Sequence, residues 1–323
     1  MYMKKLLSLT LFLVFSWSLS AQFLNIEEPI VLKTATGDIH GTLKVYPADN
    51  KAIPVAILIA GSGPTDRNGN QPSTKNNSLK MLSDALCSNG IAALTFDKRA
   101  IGESASAAKS EADLRFEDYI NDVKGWVELL SKDKRFSDII IIGHSEGSLI
   151  GMVAAKNNTK VSKYVSIAGV GVPAGDILKE QLGKQLALQP QATKDMIFSY
   201  IDKLEKGETI AHIPPSMNTL FRPSVQPYMI SWFKYNPQKE ISQLTIPILI
   251  IQGTTDIQVS VKEADLLATA NKKAKKIIVE NMDHVMKNST TTDQQTQLKD
   301  SYMNPDKPVM KEVIDNIVSF IKE

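Results

Sequence analysis

Apolar runs and polar breaks alternate along the chain in a pattern that predicts strands and helices in turn. Continuous apolar stretches are typical of strands buried on both faces, and they cover residues 53–60, 91–96, 139–142, 163–168, 246–251 and 276–279. Apolar residues at helical spacing predict helices near 78–88, 116–132 and 308–322. Residues 30–34 and 39–45 flank Gly37 and Asp38, which predicts a β-hairpin. The pattern as a whole predicts a mainly parallel sheet with helices on both faces and an antiparallel hairpin at one edge.

The stretch from 173 to 242 departs from this alternation. It has no strand pattern, but helical patterns near 175–187 and 191–205 are followed by five prolines. An all-helical insertion of this size after a strand is predicted to form a cap over the carboxyl edge of the sheet, where ligands bind in open α/β sheets. We therefore divide the chain into a core, 22–172 and 243–323, and a helical cap, 173–242.

The first residues have the pattern of a secretory signal peptide, which we assign to residues 1–21. Two lysines precede the apolar stretch 6–19, and small residues follow it, so cleavage is expected after Ala21, with Ser20 as the alternative. The stretch is shorter than the roughly 20 apolar residues that a spanning helix needs. No cysteine lies near the cleavage point to carry a lipid. We expect a secreted or periplasmic protein without stable membrane insertion after cleavage.

Charge and cysteine content exclude several classes of function. The chain has 37 Lys and Arg residues against 35 Asp and Glu, and loss of the two signal-peptide lysines leaves it formally neutral. A strongly basic nucleic-acid binder is therefore excluded. The single cysteine, Cys87, excludes a disulfide framework and a Cys-rich metal site, and its apolar surroundings predict a buried, inert thiol. The histidines and acidic residues show no metal-ligand spacing, so we expect no metal and no cofactor.

The candidate nucleophile is a serine on a tight turn between a strand and a helix. The segment 143–147 reads Gly-His-Ser-Glu-Gly, follows an apolar strand and opens a helix. This is the G-x-S-x-G pattern of a nucleophile elbow. The strained turn requires small residues two positions before and after Ser145, and the helix directs its free N–H groups at the site. We interpret the Glu146 carboxylate as a favourable first-turn acid of that helix rather than as a catalytic group.

A serine hydroxyl needs a base, and the chain offers four histidines. His40 lies in the predicted edge hairpin and His212 in the predicted cap. His144 directly precedes Ser145, so its side chain is expected to point away on the turn. His284 follows the last predicted strand, in a loop that a sheet of this order places beside the elbow, and it is the predicted base.

The histidine in turn needs a carboxylate that fixes its tautomer. Asp256 directly follows a predicted strand and lies between Ser145 and His284, which gives the order expected for this kind of sheet. Asp283 is the rival, but a residue adjacent to a histidine normally cannot reach the edge of its ring. Asp256 is therefore the predicted third member of the set.

The oxyanion that forms during acyl transfer needs two hydrogen-bond donors. One is expected from the backbone N–H of Glu146, the residue after the nucleophile. The loop 61–70 supplies the second, which we assign to the N–H of Ser62, with Gly63 as the neighbouring alternative. Each donor stabilises the transition state by roughly 3–4 kcal/mol in comparable sites. The loop does not fit the glycine patterns of phosphate or dinucleotide binding.

Five motifs together resemble the bacterial α/β-hydrolase carboxylesterases of the EstD type. They read GSGPTDRNGN, FDKRAIGES, GHSEG, GTTD and DHVM, and they follow in that order between residues 61 and 286. The resemblance implies an α/β-hydrolase fold and a Ser145–Asp256–His284 triad. It also implies hydrolysis of carboxylic esters of short to medium acyl chain through an acyl-enzyme, without a cofactor. The expected partner is therefore a small-molecule ester.

Two loop positions depart from the pattern of these relatives. Asn68 stands where they often have Asp, and Ala100 where they usually have Gly. Both positions lie outside the triad. Charged residues of the same loops are expected to hold them by ion pairs or hydrogen bonds: Asp66, Arg67, Asp97 and Arg99.

Other functions remain open at this point. The same triad serves a peptidase or an esterase of lactones and macrocyclic rings, and a catalytically silent binding module could keep the fold. Large side chains of the cap are candidates for an acyl pocket, although we expect only a minority to touch substrate: Met196, Phe198, Tyr200, Met217, Phe221, Tyr228, Met229, Trp232 and Phe233. The sequence does not determine the oligomeric state.

Overall fold

An eight-stranded sheet organises the part of the chain that the computed structural model describes, residues 26–47 and 51–323. The strands are β1 (Ile26–Thr34), β2 (Gly37–Val45), β3 (Ile53–Ile59), β4 (Ala92–Phe96), β5 (Phe136–His144), β6 (Val161–Ile167), β7 (Ile248–Gly253) and β8 (Lys275–Val279). Their order in space is β1-β2-β4-β3-β5-β6-β7-β8. The hairpin β1–β2 pairs antiparallel with β4, and all other neighbours are parallel. This confirms the predicted mainly parallel sheet with an antiparallel edge.

Helices follow each of the strands from β3 to β8 along the chain. The helices are α1 (Ser78–Ser88), α2 (Phe116–Leu130), α3 (Glu146–Ala155), α4 (Ala174–Gln185), α5 (Gln191–Glu205), α6 (Asn218–Phe221), α7 (Gln226–Trp232), α8 (Pro237–Ser242), α9 (Val261–Ala270), α10 (Gln294–Gln297) and α11 (Lys311–Lys322). The sequence did not predict α9, because Ala264 and Leu267 are its only fully buried apolar residues. The predicted signal peptide lies outside the described residues.

The two faces of the sheet carry separate hydrophobic cores, as the alternation of side chains along a strand requires. In β3, Val55, Ile57 and Ile59 face a core built with α2, α3 and α9. The intervening residues, Ala56 and Leu58, face a second core built with α1 and α11. Both faces are therefore covered, which explains why the central strands read as continuous apolar runs.

The segment between β6 and β7 contains α4 to α8 and has a hydrophobic cluster of its own. Its buried members are Ile197, Ile201, Leu204, Ile210, Phe221 and Met229. It is tied to α2 at the backbone N–H of Phe116, which donates to Ser231 Oγ at 2.8 Å. The Phe116 ring also stacks on Trp232, with ring centroids 6.1 Å apart. The division at residues 173 and 242 stays a prediction.

Among the described residues, no helix combines the length and the apolar character needed to span a bilayer.

Cys87 is fully buried in α1, and burial raises the pKa of its thiol to about 11. The prediction of a buried cysteine is confirmed.

Candidate active site

Ser145 lies at the junction of β5 and α3 in a strained backbone conformation, with φ 54° and ψ −121°. Its backbone N–H donates to the Ile167 carbonyl at 2.9 Å, which joins the turn to the neighbouring strand. A Cβ on Gly143 would overlap the backbone of Gly147, and one on Gly147 would overlap the Ile59 carbonyl oxygen. Both glycines are therefore required by the tight packing of the turn, as the sequence pattern predicted.

His284 is paired with Asp256 in the structure. The distance from His284 Nδ1 to Asp256 Oδ2 is 2.8 Å, and the Asp256 side chain is fully buried. The other carboxylate oxygen, Oδ1, accepts the backbone N–H groups of Gln258 and Val259 at 2.8 and 2.9 Å. Gln252 Nε2 donates to Oδ2 at 3.0 Å. Burial alone would raise the pKa of Asp256, but the neighbouring His284 and these hydrogen bonds outweigh it and lower the pKa.

The rival carboxylate, Asp283, is occupied in its own loop. Its Oδ1 accepts the backbone N–H groups of Val285 and Lys287 at 3.1 and 2.8 Å. The ring of His284 receives its carboxylate contact from Asp256 instead. Ser145 and His284 line the same cavity, so the fold brings together the three side chains that the sequence singled out.

The expectation that the His144 side chain points away from the site is wrong. His144 Nε2 lies 2.7 Å from the carbonyl oxygen of His284, and the two ring centroids are 4.8 Å apart. A carbonyl only accepts, so His144 donates from Nε2. Burial, followed by the proximity of His284, lowers the pKa of His144 to about 4, which keeps the ring neutral at pH 7. His144 thus holds the loop that carries His284, a role that its polar character at the end of a buried strand could have indicated.

The loop after β3 passes close to Ser145. A Cβ on Gly61 would lie 3.2 Å from Ser145 Cβ, so the backbone there approaches the serine closely. The backbone N–H groups of Ser62 and Glu146 donate to no protein acceptor within residues 26–47 and 51–323. Both residues line the cavity that contains Ser145. These two N–H groups are therefore available at the positions that the sequence analysis assigned to the oxyanion hole.

A buried lysine that the sequence analysis missed connects this loop to helix α3. Lys98 Nζ donates to the Gly61 carbonyl at 2.6 Å and lies 3.4 Å from Glu146 Oε1. The Lys98 and Glu146 side chains are 2% and 3% exposed. The Glu146 carboxylate consequently has a larger structural role than a first-turn acid, because it neutralises a buried ammonium beneath the turn. The signal in the sequence was a lysine two residues after the end of the buried strand β4.

Parts of the chain are similar in sequence to known proteins. The family model described as serine aminopeptidase, S33, matches residues 75–205. Esterase EstD of Thermotoga maritima is 25% identical over 243 residues, which cover 74% of this chain and 56% of EstD. The chain thus spans little more than half the length of that relative.

Solved structures share the architecture over nearly the whole chain. Esterase Pf2001 of Pyrococcus furiosus superposes with a TM-score of 0.59 at 17% identity, covering 92% of this chain and 91% of that one. The α/β-hydrolase GrgF of a Penicillium species superposes with a TM-score of 0.59 at 16% identity, covering 92% and 98%. The chain has the α/β-hydrolase fold. Together with the match to EstD, this confirms the resemblance to EstD-type α/β-hydrolases.

Charged residues hold in place the loops that follow β3 and β4. Arg67 donates to Asp97 both through its backbone N–H, at 2.8 Å, and through its guanidinium, at 2.7 Å. Arg99 Nε donates to the buried Asp122 at 2.7 Å. Ala100 adopts φ +66°, a left-handed conformation that favours glycine, in keeping with the glycine that the resemblance implies at this position. These contacts confirm the structural role expected for Arg67, Asp97 and Arg99.

Two cavities meet at Ser145. The apolar cavity, about 530 Å³, lies between Ser145 and the helices α4, α6 and α7. Three of the nine large side chains named above line it: Tyr228, Met229 and Trp232. The polar cavity, about 350 Å³, lies between the loop after β3 and the segments that carry His284 and Tyr302.

The buried, neutral His144 predicts a pH dependence of stability. Its pKa is about 4 in the folded protein and about 6.5 unfolded, so the unfolded state binds more protons between these values. The free energy of unfolding should therefore fall as the pH drops from about 6.5 to about 4, by up to about 3 kcal/mol from this residue. His144→Gln keeps a hydrogen-bond donor but does not titrate, so its stability should fall less steeply. Urea unfolding at pH 7.5, 6.5, 5.5 and 4.5 measures the difference.

The control for this comparison is His212→Gln, which removes an exposed histidine. Subtracting the wild-type curve removes the contributions of all other groups that titrate in the same range. Parallel curves for wild type and His144→Gln would show that His144 is not the group responsible.

Proposed function

We propose that this α/β-hydrolase is a serine esterase that cleaves carboxylic esters. The observation that carries the proposal is the arrangement of Ser145, on a strained turn, in one cavity with His284, whose Nδ1 contacts the buried Asp256 carboxylate. A histidine held in this way has its other nitrogen free to accept a proton from a serine. The name of the relative EstD supports an ester as the substrate.

The proposed reaction has two stages, acylation of Ser145 and its deacylation. Ser145 Oγ attacks the ester carbonyl carbon while His284 Nε2 takes its proton, and the N–H groups of Ser62 and Glu146 donate to the resulting oxyanion. His284 then protonates the leaving alcohol oxygen as the carbon–oxygen bond breaks, which leaves the acyl group on Ser145. Water, deprotonated by His284, then attacks the acyl carbon. The bond from that carbon to Ser145 Oγ breaks, His284 returns the proton to Oγ, and the carboxylic acid leaves. No cofactor is needed for these steps.

The apolar cavity supports an acyl group of short to medium length. Its volume of about 530 Å³ falls in the range that takes small organic ligands. We expect kcat/KM for p-nitrophenyl esters to rise from acetate to butyrate or octanoate and to fall at least tenfold for palmitate. A steady-state panel of the four esters, with Ser145→Ala as background, measures this. Activity that increases up to palmitate would contradict the proposed chain length.

A peptidase is the second candidate, because the matching family model is described as a serine aminopeptidase. An aminopeptidase needs a carboxylate that binds the substrate's ammonium group. Among the described residues that line the two cavities, Glu146 is the carboxylate, and it is buried against Lys98. This favours an ester over a free amino terminus. Aminoacyl and prolyl anilides, assayed beside the esters and a macrocyclic lactone, separate the three substrate classes.

Labelling by a fluorophosphonate distinguishes two further outcomes when no ester is hydrolysed. A protein that hydrolyses no p-nitrophenyl ester but whose Ser145 reacts with a fluorophosphonate would be a serine hydrolase with a peptide or lactone as its substrate. A protein that the fluorophosphonate does not label would be a silent binding module.

We further propose that the protein is secreted or periplasmic and that residues 1–21 are removed on export. The charged start, apolar stretch 6–19 and small residues before Ala21 support this proposal.

A further inference from the structure

The two cavities that meet at Ser145 differ in the chemistry of their walls. Both include four shared residues, Ser62, Gly63, Ser145 and Gln258. Beyond these, the apolar cavity is lined mainly by aliphatic and aromatic side chains, which include Leu149, Val172, Ile177, Leu220, Met229 and Trp232. The polar cavity is lined mainly by hydroxyl and amide side chains, which include Thr65, Gln71, Thr74, Asn76, Ser78 and Tyr302. A substrate whose reacting carbonyl lies at Ser145 can therefore place one half in each environment.

The position of His284 decides which half of an ester lies in which cavity. In the proposed reaction His284 protonates the leaving alcohol oxygen, so that oxygen must come within hydrogen-bond reach of its ring. His284 lines the polar cavity and is not among the residues around the apolar cavity. The alcohol half consequently extends into the polar cavity. The acyl half is left to the apolar cavity, which Ser145 also lines.

The walls of the polar cavity favour a neutral alcohol that carries several hydroxyl groups. Apart from the two histidines, the described residues that line it include no acidic or basic side chain. A charged alcohol would therefore find no counter-ion there. Gln71 and Thr65 already hydrogen-bond to each other, but an alkyl chain would leave the hydrogen of the Tyr302 hydroxyl without a partner. Tyr302 shows the available hydrogen bonding most clearly. Its hydroxyl oxygen accepts from Gln258 Nε2 at 2.9 Å, and its hydrogen has no protein acceptor among the described residues.

We propose that the natural substrate class consists of esters between an apolar acyl group and a neutral polyhydroxylated alcohol such as a sugar. The proposal rests on the serine esterase function argued above and adds the identity of the two halves. Each sugar hydroxyl both donates and accepts a hydrogen bond, which matches a wall of amides and hydroxyls. A cavity of about 350 Å³ is also in the range for a ligand of that size.

The test compares esters that share one acyl group and differ in the alcohol. We would measure kcat/KM of the mature protein for 6-O-butanoyl glucose, hexyl butyrate and butyrylcholine by pH-stat titration, with p-nitrophenyl butyrate in parallel. We expect kcat/KM for the glucose ester to be at least tenfold higher than for hexyl butyrate and for butyrylcholine. Equal values, or a preference for hexyl butyrate or butyrylcholine, would overturn the proposal. Absence of activity on p-nitrophenyl butyrate would instead contradict the serine esterase function itself.

A pair of Tyr→Phe variants tests the polar cavity directly. Tyr302→Phe removes one hydroxyl from its wall, and the ratio of kcat/KM for the glucose ester over hexyl butyrate should fall about fivefold, as expected for one hydrogen bond. Tyr200→Phe is the matched control, because Tyr200 lies in the cap and lines neither cavity. It should keep the wild-type ratio. An unchanged ratio in Tyr302→Phe, or an equal fall in both variants, would contradict the assignment of the alcohol half to this cavity.

Discussion

Replacing Ser145 by Ala is expected to abolish ester hydrolysis, with a loss of about 10⁴-fold or more in kcat. The alanine cannot form the acyl-enzyme, so only the oxyanion donors and substrate binding remain to accelerate direct attack by water. The strained turn should persist, since its tight contacts involve Gly143 and Gly147 rather than the serine hydroxyl. Steady-state kinetics with p-nitrophenyl butyrate and labelling by a fluorophosphonate measure the loss.

The matched control is Ser148→Ala, because Ser148 lies three residues after Ser145, within helix α3. The Ser148 hydroxyl is fully buried and lies 2.8 Å from Tyr164 Oη and 2.7 Å from Ser166 Oγ, away from both cavities. Its loss should cost about 1 kcal/mol of stability and leave the enzyme active and labelled. Wild-type turnover in Ser145→Ala, or inactivation only in Ser148→Ala, would remove the basis for Ser145 as the nucleophile.

Replacing Asp256 by Asn is expected to lower kcat by about 10³–10⁴-fold. The surroundings of the carboxylate determine which way the new amide points. The backbone N–H groups of Gln258 and Val259 both donate to Oδ1, so the amide oxygen must occupy that position. The amide nitrogen then faces His284 Nδ1 and forces that nitrogen to accept. His284 Nε2 would carry the hydrogen and could no longer take the proton of Ser145.

The same substitution also disturbs the packing of the site. Gln252 Nε2 donates to Asp256 Oδ2, where the asparagine would place a second donor. The expected signature is a fall in kcat with a smaller change in KM, while circular dichroism and the rate of unfolding report the integrity of the fold. Proton NMR of the histidine ring, which distinguishes the two tautomers, measures the cause directly.

Asp283→Asn is the control, since this aspartate is adjacent to His284 in sequence and equally buried. Its carboxylate caps backbone N–H groups of its own loop, so its replacement should reduce kcat less than tenfold. A larger loss in Asp283→Asn than in Asp256→Asn would transfer the orienting role to Asp283.

The sequence alone determined the sheet and the nucleophile turn, because both are encoded by residues close together in the chain. Buried parallel strands need apolar residues on both faces, and β3 illustrates this with alternate residues in two separate cores. The strained turn at Ser145 needs glycines at fixed positions two residues away, so a five-residue pattern was enough to predict it. The weakly apolar helix α9 was missed because only two of its apolar residues are fully buried.

The pairing of His284 with Asp256 could be predicted only in part from the sequence. The sequence selected His284 among four histidines by its place after the last strand, and Asp256 by its place in the order of the chain. Both arguments used the geometry that a parallel sheet imposes on the ends of its strands. The 2.8 Å contact between them depends on the bonds that Gln252, Gln258 and Val259 make to the carboxylate, which no pattern in the chain indicated.

Only the tertiary structure decided the roles of His144 and Lys98 and the contrast between the two cavities. His144 reaches a carbonyl 140 residues away, and Lys98 joins the loop after β3 to the helix that begins beside the nucleophile. The position of each residue at or after a buried strand could indicate a buried role, but not its partner, because the partner comes from a separate segment that packs against it only in the folded chain. The cavity walls are likewise assembled from loops and helices far apart in the chain. Which atoms surround Ser145, and hence which substrate fits it, is therefore a property of the folded molecule.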